Sequence, residues 1–141
     1  MSDPYHLNRF VEAQQPVYAR AFEELQAGHK RSHWMWFVFP QLQGLGRSEM
    51  AARYAISGVG EARAYLAHDV LGPRLKRCVM ALMQHTDKSA TQMLGTPDDM
   101  KLHSCLTLFD QADPDEALWQ LALLQFFDGA PDAATLGRLE R

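Results

Sequence analysis

The chain has 141 residues, 47% of them hydrophobic, which suits one domain burying roughly 68–70% of the surface its unfolded form would expose. Fourteen Lys and Arg against seventeen Asp and Glu leave a formal charge of −3, which excludes the uniform positive field that non-specific nucleic-acid binding needs. The N-terminal Met1 to Leu7 segment has no cationic start with an apolar core, and no apolar run reaches the roughly 18 residues of a membrane span, so a cytoplasmic chain is expected.

Asp3-Pro4 reads as a helix start, with Leu7, Phe10 and Val11 at helical spacing. Pro16 breaks that helix and opens a second, whose stripe is Val17, Ala21, Phe22 and Leu25 and whose C-cap is Gly28. A cationic joint, His29-Lys30-Arg31, precedes the run Ser32-His33-Trp34-Met35-Trp36-Phe37-Val38-Phe39-Pro40-Gln41. The run is too short and too evenly apolar for periodicity to choose its structure. Ser32 as a cap and Pro40, which drives Phe39 out of the helical region, favour a helix. A helix that is apolar all round must be buried, so the others should wrap it.

Ser48 then caps a helix through Ala55, and Ser57-Gly58-Val59-Gly60 interrupts before a segment through Leu66. Gly72-Pro73 marks a break at the start of a stronger helix carrying Leu75, Cys78, Val79 and Leu82. Ser89 and Gln92 have capping-box spacing, and Gly95 closes that short turn. Thr96-Pro97-Asp98-Asp99 reads as cap, Pro and two carboxylates at the positive end of a dipole. Asp113-Pro114 repeats the pattern, and Pro131-Asp132 begins a last short helix. The fold class is therefore all-α: seven to nine helices joined by short loops around a short buried helix. Cys78 and Cys105 fall inside apolar helical patterns, as buried reduced thiols do.

Three groups of residues carry candidate chemistry. His33, Trp34, Trp36 and Gln41 form one wall, with aromatic faces for a base and a His33 that partial burial would perturb. Lys30, Arg31 and Arg47 flank an anion position at the Gly44-Leu45-Gly46 loop, where glycines permit close backbone approach. Asp98, Asp99, Lys101, His103, Ser104 and Thr107 lie on two polar strips of one helix, the neighbourhood that general acid–base work requires. His29 and His33 are four apart but have no third ligand, so no metal is expected, nor any cofactor.

These segments resemble an uncharacterised, mainly bacterial, all-helical family of unknown function that genomes often mislabel as calpastatin. The resemblance rests on Leu-x-Arg-Phe-Val-x-Ala-Gln from Leu7, the Lys30 to Ser48 signature, Tyr-Ala-Ile and Glu-Ala-x-x-Tyr-Leu between Tyr54 and Leu75, and Lys-Leu-x-Ser-x-x-Thr-Leu-Phe from Lys101. It implies a compact multihelical fold with a buried central helix and no established activity. Asp69 departs from the Pro that such sequences tend to carry after His68, which touches a helix start and no site residue. The layout is also similar to helical domains acting on ADP-ribose and related N-glycosides, an analogy at the level of fold.

Two functional expectations follow. One is a site for a nucleotide-like or phosphorylated small molecule, stacked near Trp34 or Trp36 with its phosphate near Arg47 and Lys101, and N-glycosidic hydrolysis assisted by Asp98 or Asp99. The other is a non-enzymatic module whose exposed apolar residues contact a protein partner. Exposure of the tryptophans separates the two.

Overall fold

The computed structural model describes residues 2–140, and among these ten helical segments and no strand occur. They are α1 (Asn8–Gln14), α2 (Tyr18–Ala27), α3 (Met35–Val38), α4 (Glu49–Arg53), α5 (Val59–Ala67), α6 (Leu71–Met83), α7 (Ala90–Leu94), α8 (Asp98–Ala112), α9 (Ala117–Phe127) and α10 (Ala133–Leu139). No helix among them is long and apolar enough to cross a membrane.

Local signals set many of the boundaries. Ser48 Oγ accepts the Ala51 amide, Asp132 Oδ2 accepts the Thr135 amide, and Ser89 with Gln92 forms a reciprocal capping box. Gly28 ends α2 at φ 70, the left-handed conformation that lacks a side-chain penalty in glycine. The aromatic run does form a helix, α3, and Phe39 leaves it at φ −123, ψ 71 as the residue before proline must.

Several starts differ from expectation because side chains found other partners. Asp3 does accept two amides, Leu7 at 2.7 Å and Asn8 at 3.0 Å, yet the helix begins only at Asn8. Ser32 does not cap α3; its hydroxyl is taken by Glu24. Thr96 bonds Asp99 rather than an amide, and α9 starts at Ala117, three residues beyond the Asp113-Pro114 pair. Gly72 is no break either. It sits in the first turn of α6, where an added Cβ would lie 2.2 Å from the Leu66 carbonyl oxygen, so glycine is what lets α5 and α6 meet there.

One apolar core joins these elements, with Phe10, Trp34, Phe39, Tyr65, Phe109 and Trp119 among its fully buried side chains. Helix α3 is the short buried helix expected of the aromatic run, packed against α1, although Trp36 is only half-buried. Helix α8 adds a longer axis, touching α5, α7, α9 and α10 and burying eight of its fifteen residues. Within the core Gln14 Nε2 donates to the Phe37 carbonyl and to the Tyr65 hydroxyl, so this buried amide is paired. Burial pushes the Cys78 thiol up to about 12 and Cys105 well above its ordinary range, which leaves neither as a thiolate.

Candidate functional site

The aromatic run is anchored by a carboxylate from the preceding helix. Glu24, on α2 and 7% exposed, accepts Trp34 Nε1 at 3.0 Å, the amides of Arg31 at 2.8 Å and Ser32 at 3.0 Å, and the Ser32 hydroxyl at 2.6 Å. Desolvation pushes this carboxyl up, but the bonds from Ser32, Arg31 and Trp34 together outweigh it and hold it down at about 2. Trp34 therefore has its face in the core and its one donor occupied.

On the other side of the indoles the chain assembles a charged cluster. Lys30 Nζ lies 2.9 Å from Asp98 Oδ2 and 5.1 Å from the centre of the Trp34 ring system. Lys101 Nζ lies 3.6 Å from Asp98 Oδ1 and 5.2 Å above Trp36. Thus Trp34, Trp36, Asp98 and Lys101, placed on separate segments by sequence, do converge, with Lys30 between them. Both oxygens of Asp98 face ammonium groups. Asp99 is equally engaged: Oδ2 accepts from Thr91 and Thr96, and Oδ1 from the Met100 amide. Neither aspartate keeps an oxygen free of protein partners for acid–base work.

The remaining expected residues are dispersed. His33 is exposed rather than partly buried, and so is Arg47. Gln41 contributes its backbone: its carbonyl accepts the Ile56 amide at 3.0 Å beside the Leu42–Ile56 bridge that ties down the loop. A cation from the last helix packs on that loop. Arg138 Nε donates to the Gln43 carbonyl at 2.8 Å, and its guanidinium fills the space where a Cβ on Gly44, at φ 89, would stand. Ser104 and Thr107 face α10. Ser104 Oγ is 3.3 Å from Asp132 Oδ2, and Thr107 Oγ1 accepts the Asp132 amide at 2.9 Å, so these hydroxyls dock the last helix. His103 stacks on Phe127 at 4.1 Å with Nε2 2.7 Å from the Ala130 carbonyl.

A cavity of about 790 Å³ opens elsewhere, at the α1, α4 and α5 corner, lined by Tyr5, His6, Arg9, Arg53, Tyr54 and Glu61 among others. Its frame is Arg9. Nε donates to the Arg53 carbonyl, Nη1 to the carbonyls of Tyr5 and His6, and Nη2 to the Ala55 carbonyl and Glu61 Oε2, all between 2.7 and 2.9 Å. Five donors meet five acceptors, so this guanidinium is fully occupied. Glu61, 4% exposed, completes the frame by accepting the Ser57 amide and hydroxyl.

Arg9 also holds His6, whose backbone sits in the left-handed region at φ 53, a conformation worth about 1–3 kcal/mol of strain in a non-glycine residue. The groups left for a ligand are the His6 ring, the exposed Arg53 guanidinium, the Tyr5 and Tyr54 rings, and Glu12, whose Oε1 accepts Asn8 Nδ2. Sequence reading missed this corner. Its signal lies in Arg9 and Glu12, one helical turn apart on α1, but three of the five Arg9 acceptors come from residues 53 to 61. Among the described residues no group of three or more His, Cys, Asp or Glu is arranged to hold a metal ion.

The family model described as protein of unknown function (DUF1810) matches residues 4–139. The crystal structure of the conserved hypothetical protein Rv1873 from Mycobacterium tuberculosis is similar at 49% identity and a TM-score of 0.97, covering 99% of each chain. No curated protein matches the sequence.

Proposed function

Because the chain belongs to the DUF1810 family, whose description assigns no activity, we propose a function from its own geometry: a small-molecule-binding domain for a nucleotide-like or phosphorylated ligand. The observation that carries this reading is the cavity framed by Arg9. It is of ligand size, and its scaffold charges are neutralised internally while the Arg53 guanidinium, the His6 ring and the exposed Tyr5 ring remain open to a ligand. Arg53 makes no ion pair among the described residues and suits a phosphate bidentately. The exposed Tyr5 ring offers a face for a base, with Tyr54, itself packed on Phe10 and Phe37, behind it. The strained His6 backbone supports a functional corner, since such strain persists where surroundings over-determine it.

The Trp34 and Trp36 cluster supports this reading less well. Trp34 is enclosed, Trp36 is covered by Lys101, and the carboxylates beside them are paired. Hydrolysis of an N-glycosidic bond at the proposed site would fall to Glu12, which keeps Oε2 free of protein donors.

The test is thermal shift with ADP-ribose, NAD, AMP and inorganic phosphate, on the wild type and on Arg53→Ala and Tyr5→Ala. A ligand at 100 times its Kd stabilises by about 2.7 kcal/mol, which is readily seen as a rise in Tm. The reading predicts a rise that both variants abolish. Absence of any shift at millimolar concentrations, or a shift indifferent to both substitutions, would count against this site.

A further inference from the structure

Two grooves on the outer surface have complementary character. The first, about 490 Å³, lies between α8 and α9 and is lined by Asp110, Gln120, Leu121, Leu123 and Leu124 among others. Helix α9 carries no charged residue in its eleven, and its outer side leaves Leu121 53% and Leu124 61% exposed. A face depleted of charge with exposed leucines has the composition of an interface centre. On the wall of this groove Asp110 Oδ1 is buried without a hydrogen-bond partner. Desolvation raises the Asp110 carboxyl, against a smaller opposing influence from Gln120. Asp110 makes no ion pair among the described residues, so the charge on this groove wall lacks a cationic partner.

The second groove, about 540 Å³, lies between α2 and α6 and is lined by Phe22, Gln26, Arg77, Met80, Ala81 and Gln84. It has no carboxylate. Arg77 forms no ion pair among the described residues, and Met80, one helical turn away, is 47% exposed. The two grooves flank the α6–α9 pair, which is joined by Lys76–Glu116 at 3.3 Å and by Gln125 Nε2 on the Met83 carbonyl at 3.0 Å. One groove offers leucines beside a carboxylate outside any ion pair, the other a methionine beside a guanidinium outside any ion pair.

We propose that these surfaces recognise each other between copies: Arg77 and Met80 of one copy enter the Asp110, Leu121 and Leu124 groove of a second copy of this chain. Charge complementarity selects this occupant, because the chain itself supplies a cation outside any ion pair and, one helical turn from it, an exposed apolar side chain. The guanidinium pairs with Asp110 and the Met80 thioether covers the leucines. If the pair is two-fold symmetric, both contacts form at once, which is the commonest arrangement of homo-oligomers.

Sedimentation velocity over a concentration series, with circular dichroism as the folding control, tests this on the full chain with Asp110→Arg, Arg77→Glu and Leu124→Ala. The wild type should associate reversibly. Each charge reversal alone places like charges together and should weaken association by about 30-fold or more. Mixing the two charge variants one to one should restore it, since the arginine introduced in one copy then faces the glutamate introduced in the other, while the native Asp110 and Arg77 still meet. Leu124→Ala, at an exposed position, should weaken association without a change in melting temperature. A wild type that stays monomeric up to about 1 mM overturns the proposal. So does association that survives both charge reversals, failure of the mixture to recover, or a groove that accepts only a foreign cationic peptide.

Discussion

The indole N–H of Trp34 donates to Glu24 Oε1 at 3.0 Å, and that one bond links the second helix to the aromatic run. The same carboxylate turns the backbone at Arg31 and Ser32. It thus fixes the segment that leads into α3, while the first-turn amides of α3 itself have no side-chain cap.

The Glu24 clamp should show in acid. A carboxyl held below its ordinary value contributes stability that is fully present above about 4.5 and is lost as pH falls toward about 2. Chemical denaturation from pH 6 to pH 2 should therefore show wild-type stability declining over that window, and Glu24→Gln, less stable at neutral pH, should decline less. Parallel curves for the two proteins would refute the clamp.

The two tryptophans of the run should differ in cost. Trp34 is 1% exposed, so Trp34→Ala should lose about 3–5 kcal/mol in urea unfolding. Trp36 is half-buried beneath Lys101, and Trp36→Ala should lose about 1–2 kcal/mol, part of it the cation–π contact. Equal losses would contradict this division of roles.

Lys30 and Lys101 share Asp98 but not its burial. The Lys30 side chain is 8% exposed, so Lys30→Ala leaves a half-buried carboxylate short of its nearer partner and should cost about 2–3 kcal/mol. Lys101 is 23% exposed, and Lys101→Ala should cost less than about 1 kcal/mol. Salt up to about 1 M, where the Debye length is ~3 Å, should erase the Lys101 effect and spare most of the Lys30 effect.

Arg9→Lys tests the frame of the proposed cavity. An ammonium has three donors and no fork, so at least two of the five acceptors lose their partner. We expect a loss of about 2 kcal/mol and weaker ligand-induced stabilisation, whereas Arg53→Ala should leave the unliganded melting temperature nearly unchanged. A fully stable Arg9→Lys protein would show that the geometry of the fork is dispensable.

Gly72→Ala is the sharpest packing test. The new methyl meets the Leu66 backbone carbonyl at 2.2 Å, and backbone cannot yield as a flexible side chain can. We expect a loss of about 2–3 kcal/mol or failure to fold. Gly95→Ala meets no neighbour but sits at φ 79, ψ 176, a region essentially confined to glycine, so its cost should be backbone strain alone, about 1–3 kcal/mol. A larger loss at Gly95 than at Gly72 would reverse this ranking.

Helical class, family membership and the boundaries whose signals are local can all be read off the linear chain. Ser48, Ser89 with Gln92, and Asp132 act on amides three residues away, and Phe39 obeys the proline that follows it. The convergence of Trp34, Trp36, Asp98 and Lys101 was legible as a set of residue types, though not as a geometry. Three further features came only with the packed molecule: which carboxylates are engaged, that Arg138 covers the glycine loop, and that Arg9 and Glu61, 52 residues apart, frame a cavity. The reason is physical. A cap or a pre-proline residue acts through backbone geometry within one turn, whereas a buried charge takes whichever partner the packing of distant helices brings to it, and periodicity does not encode that choice.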